Sequence, residues 1–320
     1  MAEPSFDLTG KRVFVAGHNG MVGSALVRRL ASERCTILTM GRARLDLRDQ
    51  VAVWDWFAAN RPDVVFLAAA KVGGILANES FPADFLTDNL LIATNVIDAA
   101  HRVGVAKLLF LGSSCIYPRL APQPIVEQAL LSGPLEPTNE WYAIAKFAGI
   151  KLCQAYRRQH GCDFTSAMPT DLYGPGDNFD LASSHVLPAL IRKAYEAKRS
   201  GADAITIWGS GQPCREFLHV DDLADACVFL MQRYSDEEHV NIGSGQDIAI
   251  VDLARMVCEV VGFVGEIRHD LSKPDGTPRK LMSGAKLAAL GWSPRIGLRD
   301  GIASAYSAYR ETSGIAMEPA

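Results

Sequence analysis

Residues 11–30 read KRVFVAGHNGMVGSALVRRL, and this stretch decides the fold. Lys11 to Ala16 is a short run of β-branched and aromatic residues, the pattern of a buried strand. Gly17, Gly20 and Gly23 then form GxxGxxG, and ALVRRLASE follows with helical spacing. Strand, glycine turn and helix in that order open a dinucleotide-binding βαβ unit. Glycine lets the turn close and lets the backbone approach a pyrophosphate, while the free N–H groups of a helix start receive the phosphates. The same pattern fits any tight strand-to-helix turn. Its place directly after the first buried strand favours the cofactor.

Working outward, the same rhythm repeats. CTILTM (35–40) reads as a second buried strand, Val51 to Asn60 as a helix and PDVVFLAAA (62–70) as a third strand. Leu90 to Arg102 reads as a helix, KLLFLGSS (107–114) as a strand, Tyr142 to His160 as a helix and Asp163 to Thr170 as a strand. Continuous apolar strands alternating with helices predict a parallel sheet covered on both faces. With right-handed crossovers this is an α/β, doubly wound parallel sheet of Rossmann type. After Tyr173 the pattern changes to a Gly/Pro/Asn/Asp loop, then a helix capped by Ser184, a strand at 204–209, a helix at 219–232, a late strand at 239–243 and a helix at 251–261. We expect residues 1–173 plus 217–246 to form the nucleotide domain. Residues 174–216 plus 247–320 should form a smaller α+β substrate lobe.

Composition narrows the function. The chain has 320 residues, 32 basic and 36 acidic, for a net charge of −4. That balance carries no electrostatic footprint for nucleic acid or an anionic membrane. Seven cysteines at irregular spacings argue against a disulfide framework and for a reducing, cytoplasmic setting. No Cys/His cluster has zinc spacing, so no metal is expected. No stretch of about 18 apolar residues exists to span a membrane. The acidic start, Met1 to Thr9, lacks the apolar core of a signal peptide.

The second strand bears on the cofactor. NAD sites carry an acidic residue about 20 residues past the glycines, on the ribose hydroxyls. Here the strand ends in Met40, Gly41 and Arg42. A guanidinium suits a 2′-phosphate, which points to NADP(H), although Arg44 and Arg48 are equally placed to supply it. Asp46 and Leu47 would flank the adenine. Tyr142 and Lys146 stand four apart near a helix start, one turn apart on one face. A free phenol has a pKa of about 10. A neighbouring ammonium should lower it, so that the phenol exchanges protons near neutrality. Ser113 and Ser114 end the preceding strand, where a hydroxyl can orient a substrate carbonyl. Strand alternation would put Cys115 on the same side as Ser113. His185 is either a first-turn surface histidine or a proton donor or acceptor facing Cys115.

These residues resemble the GDP-L-fucose synthase family of short-chain dehydrogenases. The matching runs are GHNGMVGSAL (17–26), AAAKVGGILAN (68–78), LGSSCIYP (111–118), EWYAIAKFAGIKLC (140–153), MPTDLYGPGDNF (168–179), SSHVLPAL (183–190), WGSGQPCREFLHVDDLA (208–224) and KPDGTPRK (273–280). The resemblance implies conversion of GDP-4-keto-6-deoxy-D-mannose to GDP-L-fucose, by epimerisation at C3 and C5 and NADPH-dependent reduction at C4. It implies a reductase triad of Ser113, Tyr142 and Lys146, and an epimerisation pair of Cys115 and His185. The cofactor would contact Gly17, Asn19, Gly20, Met21, Val22, Gly23, Arg42, Asp46, Leu47, Leu111, Gly112, Ser113 and Ser114. From the later segments it would contact Tyr142, Lys146, Pro169, Thr170, Asp171, Leu172 and His185. Lys193, Trp208, Arg215 and Asp275 fall where the family contacts the GDP-sugar. A homodimer is implied as well.

Two positions depart from the pattern: Asp171 replaces an expected asparagine, and Lys193 replaces a common arginine. A rival sugar-nucleotide 4-epimerase or 4-ketoreductase would share Tyr142 and Lys146 without needing Cys115 or His185. A nucleotide-sensing regulator would dispense with the tyrosine and lysine.

Overall fold

The computed structural model describes residues 6–312 except Pro274. The ends of the two lobes read above, 1–5 and 313–320, lie outside the described residues. The first half of the chain runs β1 (Arg12–Ala16), α1 (Met21–Leu30), β2 (Thr36–Leu38), α2 (Gln50–Asn60), β3 (Val64–Leu67), α3 (Ile75–Ser80), α4 (Pro82–Arg102), β4 (Lys107–Leu111), α5 (Glu140–His160) and β5 (Phe164–Pro169). The second half runs β6 (Asp171–Tyr173), α6 (Val186–Ser200), β7 (Ala204–Trp208), β8 (Cys214–His219), α7 (Val220–Arg233), β9 (Val240–Ile242), β10 (Asp247–Ala249), α8 (Ile250–Val261), β11 (Glu266–Asp270), β12 (Arg279–Lys280), α9 (Ala285–Ala289) and α10 (Leu298–Thr312).

Six strands form one parallel sheet in the order β2-β1-β3-β4-β5-β9. The strands alternate their side chains between two cores. In β1, Val13 and Val15 pack with Leu26 of α1 and Leu223 and Met231 of α7. Phe14 and Ala16 pack with Phe57 of α2, Val96 of α4 and Ile150 of α5. Helices on both faces therefore explain why β3, β4 and β5 are buried along their whole length and read as unbroken apolar runs. The exception is β2, expected as a buried strand through Met40. It is three residues long and partly exposed, because it lies at the sheet edge with β1 as its one neighbour.

The remaining strands sit apart from the main sheet. β8 pairs with β10 antiparallel and with β12 and β6 in parallel, and β7 pairs with β11. β8 runs through residue 216, where the sequence reading divides the lobes. A third core of Leu190, Ile191, Val257 and Ile302 joins α6, α8 and α10.

Three other local readings differ. α4 begins at Pro82, eight residues before the expected start. Proline suits a first helical turn, and the polar residues Asp84, Asp88 and Asn89 hide the apolar stripe there. α6 takes His185, not Ser184, as its N-cap residue. The C-terminal helix α10 is additional to the elements read from sequence. All seven cysteines are free thiols. Among the described residues no helix is long and apolar enough to cross a membrane.

Candidate active site

The sheet order reverses between β1 and β3, and a ligand crevice belongs at the carboxyl ends of strands at such a point. The glycine turn lies there. Gly17 has φ +90, and a Cβ on it would sit 2.7 Å from the Ala69 backbone nitrogen. A Cβ on Gly23 would sit 2.0 Å from the Gly17 carbonyl oxygen. The turn can close only because both side chains are absent. Gly20 then caps α1 in an extended conformation, with no side-chain cap and no acidic residue in the first turn. The N–H groups of Met21, Val22 and Gly23 thus face the crevice edge in a setting that favours an anion. The apolar side chains of Met21 and Val22 pack on the core, so these residues present backbone to a ligand.

The sheet edge places Asn19 beside Gly41, whose Cβ would lie 3.7 Å from Asn19 Nδ2. The adjacent Arg42 is exposed, with Nε 3.9 Å from Asp46 Oδ2. Arg48 is committed elsewhere, to Asp46 at 2.6 Å and Asp88 at 3.0 Å. Its hydrogen bond holds the Asp46 carboxyl down to about 2. Of the three arginines open in the sequence, Arg42 is therefore better placed than Arg48 to receive a phosphate, and Arg44 is also exposed. Leu47 is held by its carbonyl, which accepts from Asn95 Nδ2 at 3.0 Å.

β4 and α5 carry the centre. β4 ends at Leu111, and Gly112 N still bonds Ala167 O at 2.9 Å. Ser113 is extended and caps a tight 3-10 turn, Ser114–Ile116, by accepting from Cys115 N at 3.4 Å. Strand alternation therefore does not govern Cys115. It meets Ser113 because the chain turns back, and the Ser113 hydroxyl interacts with both the Cys115 thiol and the Tyr142 phenol. Lys146, buried on α5, donates from Nζ to Leu111 O at 2.7 Å, and Nζ lies 5.7 Å from the Tyr142 ring centre.

The electrostatics reverse one expectation. The Tyr142 phenol is pushed up, not down: burial is the main cause, Cys115 adds to it, and Ser113 opposes. Lys146 does not offset this, and burial lowers its own pKa to about 8. Desolvation disfavours the charged form of each group. The pair therefore favours a neutral phenol, a proton donor rather than a base.

Facing this centre is a group of charges from β6, β8 and β12. Asp171 Oδ1 accepts from Lys280 Nζ at 3.1 Å, and Arg215 and His185 also lower the Asp171 carboxyl, against burial. Lys280 pairs in register with Arg215 on the neighbouring strand. Burial raises the Cys115 thiol, while Ser113, Lys280 and Lys146 pull it down. Surrounding protein lowers the His185 imidazole, and Asp171 raises it. His185 keeps solvent access while lying amid protein mass, as the floor of an open cleft requires. The acid at 171 thus works on two neighbours at once, disfavouring thiolate at Cys115 and favouring imidazolium at His185. Pro169 and Thr170 are held against β9 and β8, with Thr170 N on Ile242 O and Thr170 Oγ1 on Glu216 O. The side chain of Leu172 packs, partly buried, against the core.

A second group lies beyond it. Trp208 ends β7 and is 43% exposed, so it is not a buried core tryptophan. The ammonium groups of Lys193 and Lys273 lie 6.0 and 5.4 Å from its ring. Lys193 Nζ also donates to Thr206 O at 2.8 Å. Asp275 accepts from Ser210 N at 2.7 Å and Ser210 Oγ at 2.8 Å, latching the turn after Trp208. The run 273–280 links the two groups, since a Cβ on Gly276 would lie 3.4 Å from Arg215 Nη2. Lys280 was not singled out from sequence. Its one sequence signal was membership of KPDGTPRK.

Fold and site together define a Rossmann-type, nucleotide-dependent oxidoreductase with a Ser, Tyr and Lys centre. The model of the NAD dependent epimerase/dehydratase family matches residues 13–243. A GDP-L-fucose synthase from Sinorhizobium fredii is 60% identical over 306 residues, covering 96% of this chain and 98% of its own. GDP-L-fucose synthase 1 of Arabidopsis thaliana is 62% identical over 299 residues, covering 93% of each chain. A crystal structure of a GDP-L-fucose synthetase from Naegleria fowleri bound to NADP superimposes with a TM-score of 0.90 at 30% identity, covering 99% of this chain and 98% of that one. The chain belongs to the NAD dependent epimerase/dehydratase family and, within it, to the GDP-L-fucose synthases.

The glycine contacts make a direct prediction. Gly23→Ala must force the turn open, because the new methyl meets backbone rather than a movable side chain. Dinucleotide binding, followed by quenching of intrinsic fluorescence, should weaken at least about 10-fold while the far-ultraviolet circular dichroism stays native. Unchanged affinity would show that the turn is not the phosphate cradle.

Proposed function

We propose that this chain converts GDP-4-keto-6-deoxy-D-mannose to GDP-L-fucose, by inverting C3 and C5 and then reducing the C4 ketone, as a homodimer. The observation that carries the reading is the meeting of Ser113, Cys115 and Tyr142 with the charged group Asp171, Lys280 and His185. A plain 4-ketoreductase needs the first and last of the Ser, Cys and Tyr set. Cys115 and its charged neighbours favour the longer reaction.

NADPH fits the glycine cradle, the uncapped start of α1 and the exposed Arg42. When bound, it supplies the hydride that ends on C4. Residues 1–173 with 217–246 would hold it, and 174–216 with 247–320 would hold the GDP-sugar. The guanidinium of Arg215 and the neighbouring ammonium of Lys280 suit a diphosphate. Trp208 offers an aromatic face between Lys193 and Lys273, and Asp275 keeps its turn in place.

C3 and C5 both flank the C4 carbonyl, so one polarised ketone serves every step. Ser113 and the neutral phenol of Tyr142 donate to its oxygen and stabilise the enolate. Cys115 removes the proton from carbon as a thiolate that Lys280 and Lys146 support against burial, which holds the thiol raised. His185, whose imidazole burial holds lowered against the pull of Asp171, returns a proton on the opposite face. In the last step Tyr142 gives its proton to the C4 oxygen. A phenol held protonated by burial suits this direction of reaction.

The purified protein should oxidise NADPH when GDP-4-keto-6-deoxy-D-mannose is added and should release GDP-L-fucose, identified by NMR. A product with C3 and C5 unchanged would reduce the reading to a ketoreductase. In deuterated buffer, Cys115→Ser should slow label uptake at C3 and C5 by at least about 100-fold, with NADPH affinity within about twofold. Label uptake at the normal rate would make Cys115 structural.

Lys146 gives the pH dependence. Its folded-state pKa of about 8 lies below that of an ordinary lysine, so its charge is lost as pH rises through that value. The kcat/KM profile, which reports the free enzyme, should fall above about pH 8. In Lys146→Met the residual rate should lack that limb. A limb that persists in the variant belongs to another group.

A further inference from the structure

Asn139 directly precedes α5 and stands three residues before Tyr142. Asparagine at a helix start ordinarily lends its side-chain oxygen to the first-turn N–H groups. Here no side-chain cap forms on α5. Instead Asn139 Oδ1 is buried with no hydrogen-bond partner among the described residues. A buried, unpaired carbonyl oxygen is costly, and native structures retain few of them.

The backbone around it is fastened. Asn139 N donates to Glu136 O at 3.2 Å. The Glu136 carboxylate takes Arg119 Nε at 3.2 Å and Thr277 Oγ1 at 3.2 Å. This clasp ties the approach to α5 to the 273–280 run. Asn139 lines a small recess together with Ser114, Cys115, Glu136, Thr277 and Lys280. The residue that carries this unpaired acceptor therefore lines the same recess as the Cys115 thiol, to which the proposed function gives the work on the sugar.

We propose that Asn139 is a substrate-binding residue whose Oδ1 accepts a hydrogen bond from the C2 hydroxyl of the keto-sugar. This rests on the function proposed above and deepens it. The choice of hydroxyl follows from the reaction. C3 inverts, and the C4 oxygen begins as a carbonyl. C2 alone among the hydroxyl-bearing ring carbons keeps both its substituent and its configuration from substrate to product. A fixed acceptor on a fastened segment matches a hydroxyl that does not move. It holds the ring at C2 while C3 and C5 turn over.

The test compares two substrates, GDP-4-keto-6-deoxy-D-mannose and its 2-deoxy analogue. Asn139→Ala should lose about 10-fold in kcat/KM on the first and less than twofold on the second. Asn139→Asp keeps an oxygen at the position and should restore most of the loss. Should Asn139→Ala fail to fold, Asn139→Ser supplies a hydroxyl able to cap α5, withdraws the amide oxygen and gives the same comparison. Equal losses on both substrates would mean that Asn139 only supports α5 and would overturn the assignment. A wild-type enzyme that turns over both substrates equally well would overturn it too. If the wild type leaves the keto-sugar unchanged, the functional reading and this inference fall together. If the wild type is active and Asn139→Ala matches it, only the inference falls.

Discussion

The structure hinges on the backbone contact between Gly17 and Gly23. The first turn of α1 is pressed against the end of β1, with a would-be Cβ only 2.0 Å from a carbonyl oxygen, and the same turn abuts Ala69 beyond β3. This closeness fixes where α1 starts and leaves its first N–H groups at the edge of the crevice. It also brings the ends of β1 and β3 together at the point where the sheet order reverses. Several other parts of the site are delivered to that same edge by a parallel strand or the segment after it. β4 brings Ser113 and Cys115, β5 leads to Asp171, and β2 leads to Arg42.

At Tyr142 and Lys146, burial rather than charge pairing sets the protonation states. Lys146 and Tyr142 both shift towards their neutral forms. An ammonium one helical turn away ought to make a phenol more acidic, as the spacing suggests. That reasoning counts Coulomb attraction and omits the desolvation of both partners. Lys146 also donates one of its three N–H groups to Leu111 O. The lysine thereby ties α5 to the end of β4, so the helix carrying Tyr142 and the turn carrying Ser113 and Cys115 form one rigid piece. For a ketone reduction this is coherent, since a protonated phenol gives its proton to the nascent alkoxide.

The fold was legible because its strands are buried on both faces and its glycines sit where only glycine fits. The reading weakened where tertiary context decides. β2 looked like a core strand, but an edge position exposes it. Helix α4 was cut short because Asp84, Asp88 and Asn89 break the apolar stripe, and they are polar for reasons outside the helix. Asn89 holds the Lys71 backbone at both ends, while Asp84 and Asp88 meet the Lys71 ammonium. Cys115 was placed near Ser113 for the wrong reason, since a two-residue period applies to a strand and not to a 3-10 turn. Lys280 and Asn139 stayed invisible. One depends on a pairing between β8 and β12 some 65 residues apart in the chain. The other is marked by a hydrogen bond it does not make.

The Asp171–Lys280 pair shows how the two departures from the family pattern differ in kind. Lys193 in place of arginine removes a bidentate grip at the far end of the substrate group, yet its ammonium still bonds Thr206 O and flanks Trp208. Asp171 in place of asparagine instead adds a charge at the centre. An amide could accept from Lys280 without offsetting its charge. A carboxylate offsets it, and so weakens the cation that favours the Cys115 thiolate while strengthening the cationic form of His185. The two effects oppose each other in a reaction that needs both a base and an acid. On the proposed mechanism, the substitution makes proton removal at carbon harder and proton delivery on the other face easier.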